Sequence, residues 1–178
     1  FLSTQNKNLE RHLINSGRFN LSVSESGFDS WLDGYKLGVP NRKVSIYADA
    51  ALCMLMIDLS IINHSCGKNS LHDVMKELYI DYGIKKKGYS EEDFKNICLK
   101  YGNSDTNDVF KNHIYNTKDY IPTLKKYLDF AGMKLSPKSH SNKTAKYFGF
   151  ITQYINNKHV IKFIELNSEV DLNGVSVE

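Results

Sequence analysis

One segment of the chain is apolar at nearly every position, and it limits the possible folds more than any other feature. It reads NRKVSIYADAALCMLMIDLSII and covers residues 41–62. A helix with apolar side chains on almost every face has to be buried on every side. We therefore expect a central core helix from about Val44 to Ser65, with Gly67 just beyond it. The unbroken apolar stretch Ala50–Ile57 is too short to span a bilayer, so we expect no membrane span.

The composition is that of a soluble globular domain. The 178 residues carry a net charge of +3, with 41% apolar and 24% charged residues. Acids and bases are interspersed, and the one basic run, IKKKG at 84–88, is typical of a solvated loop, so nothing indicates a nucleic-acid partner. The three cysteines, Cys53, Cys66 and Cys98, have neither disulfide nor zinc-site spacing.

Residues 1–132 contain helix start and stop signals at the spacing of a helical domain. The first helix carries Leu9 and Leu13 four residues apart and is expected to end at Gly17. Ser24 is the expected cap of the second helix. Its apolar residues share one face, and Pro40 then breaks the chain; these apolar residues are Phe28, Trp31, Leu32 and Tyr35.

Two later helices have complete start and stop signals. Ser70 with Asp73 predicts a capping box and Gly83 a helix end. Ser90 is the cap of the next helix, in which Phe94, Ile97 and Cys98 point inward and Gly102 is the stop. Two more short helices follow, TNDVFKNHIYN and DYIPTLKKYLDFAG, with Pro122 near the start of the second.

The pattern changes after Gly132. The segments KYFGFITQYI and HVIKFIEL alternate and are rich in aromatic and β-branched residues, and NNK between them is typical of a hairpin turn. Pro137 and the residues up to Thr144 are expected to form a loop. We therefore predict a mostly α protein with a helical domain, 1–132, and a β-rich segment, 133–178.

Residue spacing alone predicts no complete catalytic site. The six histidines form no HxxxH, HxH or HExxH set, and His64 with Cys66 is better explained as surface residues. Tyr47 and Asp49, at the start of the apolar helix, are either a core tyrosine with a helix-terminal acid or part of a functional cleft. Residues Tyr147, Phe148, Gly149 and Phe150 either open an edge strand or form a loop that receives a peptide carboxylate.

The order of these elements resembles the C-terminal part of the glycyl-aminopeptidase family of zinc metallopeptidases. The segments that carry the resemblance are SGFDSW (26–31), NSLHDVM (69–75) and EEDF (91–94), and the similarity covers nearly the whole chain. It implies the helical C-terminal subdomain of a thermolysin-like catalytic domain, followed by the N-terminal half of a PDZ domain. The chain begins at Phe1 and ends at NGVSVE without a closing element, so we expect a piece of a longer protein.

The resemblance implies a function for the longer protein. It would hydrolyse peptides near a free N-terminus, with zinc held by an HExxH motif and a glutamate upstream of this sequence. This sequence alone would therefore hold no cofactor and be inert. Tyr47 matches the tyrosine that is thought to hydrogen-bond the oxyanion in these enzymes. Asp49 and Ala50 replace the lysine and glycine of the family pattern, and the negative charge is expected to weaken the site.

The resemblance also implies partners. A peptide or protein substrate would bind the parent enzyme, and Tyr147, Phe148, Gly149 and Phe150 fall where PDZ domains bind a peptide C-terminus. A half PDZ domain leaves a strand edge unpaired, so we expect self-association there. The alternative function is a non-catalytic scaffold that presents the PDZ module. The sequence does not distinguish a cytoplasmic from a periplasmic location.

Overall fold

The fold is mostly helical, as expected, with one small β-hairpin near the C-terminus. A computed structural model describes residues 2–33, 42–136, 138 and 142–177. The chain divides into two compact units, Phe1–Leu135 and Ser136–Glu178, which we call unit 1 and unit 2. Tyr35, Pro40 and Pro137, to which the sequence analysis gave roles, lie outside the described residues.

The core of unit 1 is built around the helix α3, Ile46–His64. Ser45 caps its first turn, and Gly67 beyond its end has a φ of +80°. Cys53, Met56 and Ile57 are completely buried in α3, because apolar residues occupy most faces of the helix and the other helices of unit 1 pack around it. The expected central helix is confirmed.

Helix α3 is much longer than the apolar stretch from which no membrane span was expected. By length and composition this 19-residue helix, with a mean hydropathy of 1.6, is long and apolar enough to cross a bilayer. The prediction considered only the uninterrupted apolar stretch Ala50–Ile57, whereas apolar residues predominate along the whole helix. Half of the apolar window is buried inside the protein, as is usual for the core helix of a globular domain.

The first helix, α1, spans Leu2–Ile14 and ends earlier than predicted. A 3₁₀ turn, Ser16–Phe19, follows it, so Gly17 is part of a turn and not a helix stop. Leu9 packs against the core, but Leu13 is 38% exposed. The residue three positions after Leu9, His12, is buried in its place.

The second helix, α2, spans Val23–Asp33. Its cap is Ser22 and not Ser24, because the Glu25 N–H donates to Ser22 Oγ while the Glu25 carboxylate accepts from the Ser22 N–H. This reciprocal pair is a capping box. The described members of its apolar face are exposed: Phe28, Trp31 and Leu32.

The next two helices confirm their predicted boundaries. Helix α4, Leu71–Leu78, has the Ser70–Asp73 capping box and continues into a π-helical turn, Tyr79–Gly83. Helix α5, Glu91–Tyr101, starts after the Ser90 cap and ends at Gly102.

The last helices of unit 1 close the core. Helix α6 spans Ser104–Val109 and runs into a π-helical turn, Phe110–Ile114. Helix α7 spans Ile121–Phe130, with Pro122 in its first turn as predicted. Their buried side chains pack with those of α3, α4 and α5 into one cluster, to which these two helices and the π turn contribute Val109, Phe110, Ile114, Leu124 and Tyr127.

The described part of unit 2 contains a helix that the sequence did not predict. Helix α8 spans Lys143–Phe148, and the antiparallel strands β1, Phe150–Ile155, and β2, Lys158–Ile164, follow. The expected hairpin is confirmed, with Asn156 and Asn157 at positive φ as a two-residue turn requires. A short helix, α9, spans Glu169–Leu172.

Candidate functional site

Tyr47 lies in the first turn of α3 and is 68% exposed. The interpretation of Tyr47 as a core tyrosine is therefore wrong. Its neighbour Ala48 is buried, so the backbone of this turn is packed against the protein while the phenol projects outward. The structure thus combines an accessible side chain with a buried backbone.

The segment that leads into Tyr47 is held by several hydrogen bonds. The Asn15 amide donates to the Lys43 carbonyl at 2.9 Å, and the Val44 N–H donates to Ser26 Oγ at 3.1 Å. The Ala48 N–H donates to the capping Ser45 Oγ. These bonds come from the end of α1, from α2 and from the cap, so the position of Tyr47 is fixed by three separate parts of unit 1.

Gly17 is needed for the same packing. A Cβ at this residue would lie 2.6 Å from the Lys43 carbonyl oxygen, which no side chain tolerates. The 3₁₀ turn therefore approaches the entry to α3 closely because it carries a glycine there. The sequence signal was real, but it marked a close contact and not a helix end.

Asp49 does not accompany Tyr47 on the exposed side. Its carboxylate is 1% exposed, and its Oδ1 lies 2.5 Å from Nδ1 of the equally buried His12. Residues two apart on a helix are about 200° apart around the axis, so the two side chains leave α3 in opposite directions. The expected harm from Asp49 to a site at Tyr47 loses its geometric basis.

The His12–Asp49 pair joins α1 to the first turn of α3. A carboxylate in a first turn is favoured by the helix dipole. Neither His12 Nε2 nor Asp49 Oδ2 has a hydrogen-bond partner among the described residues. The pair is therefore a buried polar contact between α1 and α3, and the loss of one member would leave the other unpaired.

His12 also stacks on Tyr120, with ring centroids 4.1 Å apart. The Tyr120 hydroxyl donates to the His113 carbonyl at 3.0 Å, and Cys53 Sγ lies 3.4 Å from the same hydroxyl. Burial raises the pKa of the Cys53 thiol to about 12 and also raises the pKa of Tyr120. Both groups are neutral at ordinary pH, so this cluster has a structural character.

His113 is neutral for a related reason. Burial lowers its pKa, although its contact with the Lys118 carbonyl works in the opposite direction. Its Nδ1 lies 3.1 Å from the Lys118 carbonyl oxygen and its Nε2 lies 2.9 Å from Thr123 Oγ1. A neutral ring with the proton on Nδ1 satisfies both contacts.

The His12–Asp49 pair is not predicted by the sequence. Its signals were a histidine three residues after Leu9, on the buried face of α1, and an acid inside an apolar helix. Each signal is weak alone, because a surface histidine and a helix-terminal acid are both common. Only the packing of α1 on α3 brings the two side chains together.

The described residues supply no metal site. His64, at the end of α3, and Cys66 are both exposed, and no group of three or more His, Cys, Asp or Glu within the described ranges could hold a metal ion. The full sequence also lacks an HExxH motif. Within the described ranges, therefore, the residues do not fit a zinc ion.

The second candidate site, Tyr147–Phe150, has a different local structure from the one predicted. Tyr147 and Phe148 belong to the last turn of α8, and β1 begins only at Phe150. The predicted strand start at residue 146 is wrong because Asn142 caps a helix and Gly149, with a φ of +74°, ends it.

The backbone of this segment is already engaged. The Gly149 N–H donates to the Ala145 carbonyl at 3.2 Å, and the Gly149 carbonyl accepts from the Glu165 N–H at 2.6 Å. Tyr147 and Phe148 are more than half exposed. A peptide carboxylate would have to compete for the Gly149 N–H, and a role in peptide binding stays a prediction.

Comparison of the chain with protein-family models, with curated proteins and with solved structures finds no match in any of the three.

Proposed function

We propose that the chain is the helical part of a zinc-dependent aminopeptidase, in which Tyr47 donates a hydrogen bond to the oxyanion that forms as a peptide bond is attacked. The observation that supports this role is the exposed phenol on a fixed backbone turn. An oxyanion donor has to be accessible to the substrate and held rigidly, since its contribution comes from being in place before charge develops.

The burial of Asp49 removes the main argument against this role. Its carboxylate is paired with His12 inside unit 1 and leaves α3 on the side away from the Tyr47 side chain. The departure from the family's lysine therefore changes the interior of this domain rather than the exposed surface. We infer that an oxyanion site at Tyr47 is compatible with aspartate at position 49.

The described residues of this chain form no zinc site, and none of their proposed roles passes through the metal. In the proposed enzyme it would be held by residues outside this sequence and would activate water. The contribution of the present residues is limited to Tyr47 and the structure that holds it. The 178 residues alone are expected to have no peptidase activity.

The decisive experiment changes Tyr47 to Phe in the full-length protein that carries the zinc motif. Phenylalanine keeps the ring and removes the hydroxyl. We expect kcat and kcat/KM to fall together by about 10²–10³-fold, with KM nearly unchanged, because the hydrogen bond strengthens mainly in the transition state. The unfolding free energy should hardly change, since the ring is exposed.

The matched control is Tyr79→Phe, because Tyr79 is 65% exposed and lies on another helical segment of unit 1. It should leave both kinetic constants as in the wild type. Peptide hydrolysis by the Tyr47→Phe variant at the wild-type rate would exclude the role of Tyr47. An equal fall of kcat in the Tyr47→Phe and Tyr79→Phe variants would also exclude the role of Tyr47.

The alternative is a non-catalytic peptide-binding scaffold. In the described part of unit 2 the sheet has two strands, so the hairpin has outer edges that could pair with an added peptide strand or with a second copy of the chain. Fluorescence anisotropy with one peptide, carrying either a free or an amidated C-terminus, tests it. Binding that requires the free carboxylate supports the scaffold, and equal or absent binding contradicts it.

A further inference from the structure

We propose that unit 1 docks on anionic phospholipid membranes through a surface at the end of α4, which we call the α4 tip. Its apolar part consists of Met75, Tyr79, Ile80 and Ile84. Its basic part consists of Lys76 and the three lysines 85–87 in the loop after the π-helical turn. This surface is independent of Tyr47 and of the proposed peptidase activity.

The apolar side chains of the α4 tip point outward. Met75, Tyr79, Ile80 and Ile84 are 52%, 65%, 46% and 61% exposed. The opposite face of the same helix is fixed in the core, with Val74 and Leu78 buried. The outward direction of the four side chains is therefore set by the packing of α4.

These four residues form neighbouring pairs. Met75 and Tyr79 are four residues apart, as are Ile80 and Ile84, so each pair lies on one side of the helical segment. The Ile84 N–H donates to the Tyr79 carbonyl at 2.8 Å, which extends the helical backbone to the loop. Several large apolar side chains exposed on one short helical segment are typical of a binding surface.

Lysines outnumber acids between residues 76 and 87, although Lys87 also interacts with Asp93 at the start of α5 and helps to lower the pKa of that carboxyl. Residues 76–87 contain four lysines and two acids. Glu77 is occupied by Lys100 at 2.6 Å and by the Tyr101 hydroxyl at 2.8 Å, and Asp81 by Lys85 at 3.4 Å. Lys76 and Lys86 take part in no ion pair in the described part of the chain. The tip therefore complements an anionic partner.

The apolar residues favour a membrane over a nucleic acid as that partner. Single-stranded nucleic acids are bound by stacking bases on aromatic rings, which gives the two isoleucines no role. A bilayer uses every part of the tip, because isoleucine side chains enter the acyl boundary, tyrosines prefer the interface and lysines attract anionic headgroups. In this proposal the basic run at 84–88, which was predicted to be a solvated loop, contacts anionic lipid headgroups.

Vesicle co-sedimentation tests the proposal with the whole chain. We expect binding to vesicles of phosphatidylcholine and phosphatidylserine, weaker binding at high salt, and no binding to phosphatidylcholine alone. Replacing Lys85, Lys86 and Lys87 by Ala should reduce the affinity by roughly fivefold for each lysine at low salt. Ile80→Ser with Ile84→Ser should also reduce it, by removing the apolar insertion.

The matched control removes the same charge from unit 2, by changing Lys143, Lys158 and Lys162 to Ala. This variant should still bind. Circular dichroism and the melting temperature should show that all variants remain folded, since none of the changed residues is buried. Several outcomes would overturn the proposal: no binding of the wild type to the anionic vesicles, equal losses in both triple variants, unchanged binding of the isoleucine variant, or retention on single-stranded RNA without vesicle binding.

Discussion

Tyr47 and the segment Tyr147–Phe150 both lie at the boundary of a helix, and both were selected from the sequence as candidate sites. Tyr47 opens a helix of 19 residues, nine of which are buried. The other segment closes a helix of six residues in which none is buried. The first boundary is fixed by tertiary packing, whereas the second is defined mainly by its two local caps.

The comparison of these two helix boundaries shows what a catalytic side chain requires: exposure to solvent together with a fixed backbone. The turn that carries Tyr47 is held by the end of α1, by α2 and by a capping serine, so its phenol can be accessible and still have a defined position. At the second boundary, Gly149 packs against Ser168, and its backbone groups are used within unit 2. The local geometry thus favours Tyr47 over Tyr147–Phe150 as a candidate site, because its backbone position is fixed while its side chain is accessible.

The largest expected effect comes from changing Asp49 to Lys. The resemblance to the aminopeptidase pattern implies that lysine would raise the activity of the proposed enzyme, whereas the structure predicts that lysine destabilises the fold. A buried cation would then face His12 in place of the carboxylate that pairs with it. We expect the unfolding free energy to fall by about 3–5 kcal/mol, as measured by urea denaturation.

Two further variants test whether the loss of stability comes from the broken His12–Asp49 pair. Asp49→Ala, which leaves His12 unpaired, should be destabilising by a similar amount. Changing both His12 and Asp49 to Leu should recover much of the loss, since an apolar pair can replace a buried polar one. A stable and more active Asp49→Lys protein would show that this carboxylate faces the cleft after all.

The core was predictable from the sequence, and the reason is visible in α3. Apolar residues on nearly every face leave a helix few alternatives to burial, so its position at the centre followed directly. Caps were equally reliable where serine preceded an acid by three residues, as at Ser70 and Ser90. Ser24 failed because Ser22, with Glu25, satisfies the same rule two residues earlier.

The candidate sites were less predictable because they depend on contacts that are distant in sequence. The pairing of His12 with Asp49 spans 37 residues and carries no motif. Helix α8 was missed because KYFGF has the aromatic content of a strand, while Asn142 and Gly149 impose a helix with local hydrogen bonds. Tyr47 could be selected from the sequence, but its exposure required the packing of the whole first turn.

A second prediction compares two residues of α3. Ile57 is completely buried, so Ile57→Ala should reduce the unfolding free energy by about 2–5 kcal/mol. Leu55 is only partly buried at the edge of the core, and the same truncation there should cost less. Thermal or urea unfolding of both variants measures the difference, and equal losses would mean that α3 is more uniformly packed than the structure indicates.

A third prediction concerns the second boundary. Gly149→Ala combines a left-handed backbone with a Cβ that would lie 2.3 Å from the Ser168 Cβ. We expect a local cost of about 1–3 kcal/mol, seen as faster amide exchange in β1 and β2. Gly174→Ala is the control, because Gly174 also has a positive φ but has open space around its Cβ position. If both variants exchange alike, the contact with Ser168 has no role in holding this boundary.

The smallest expected effect is a pH dependence from His113. Burial lowers its pKa in the folded chain below the value of about 6.5 that it has when unfolded. Below that pH the unfolded chain binds more protons at His113 than the folded chain does. The contribution of His113 to the unfolding free energy is therefore fully present above about pH 6.5 and declines as the pH falls toward the folded pKa. His113→Asn, which keeps a donor for the Lys118 carbonyl but does not titrate, should flatten this decline in urea denaturation between about pH 5 and 7.5. The control replaces an exposed histidine in the same way, His72→Asn. The same slope in the His113 variant as in the wild type would show that the ring is not held neutral in the core.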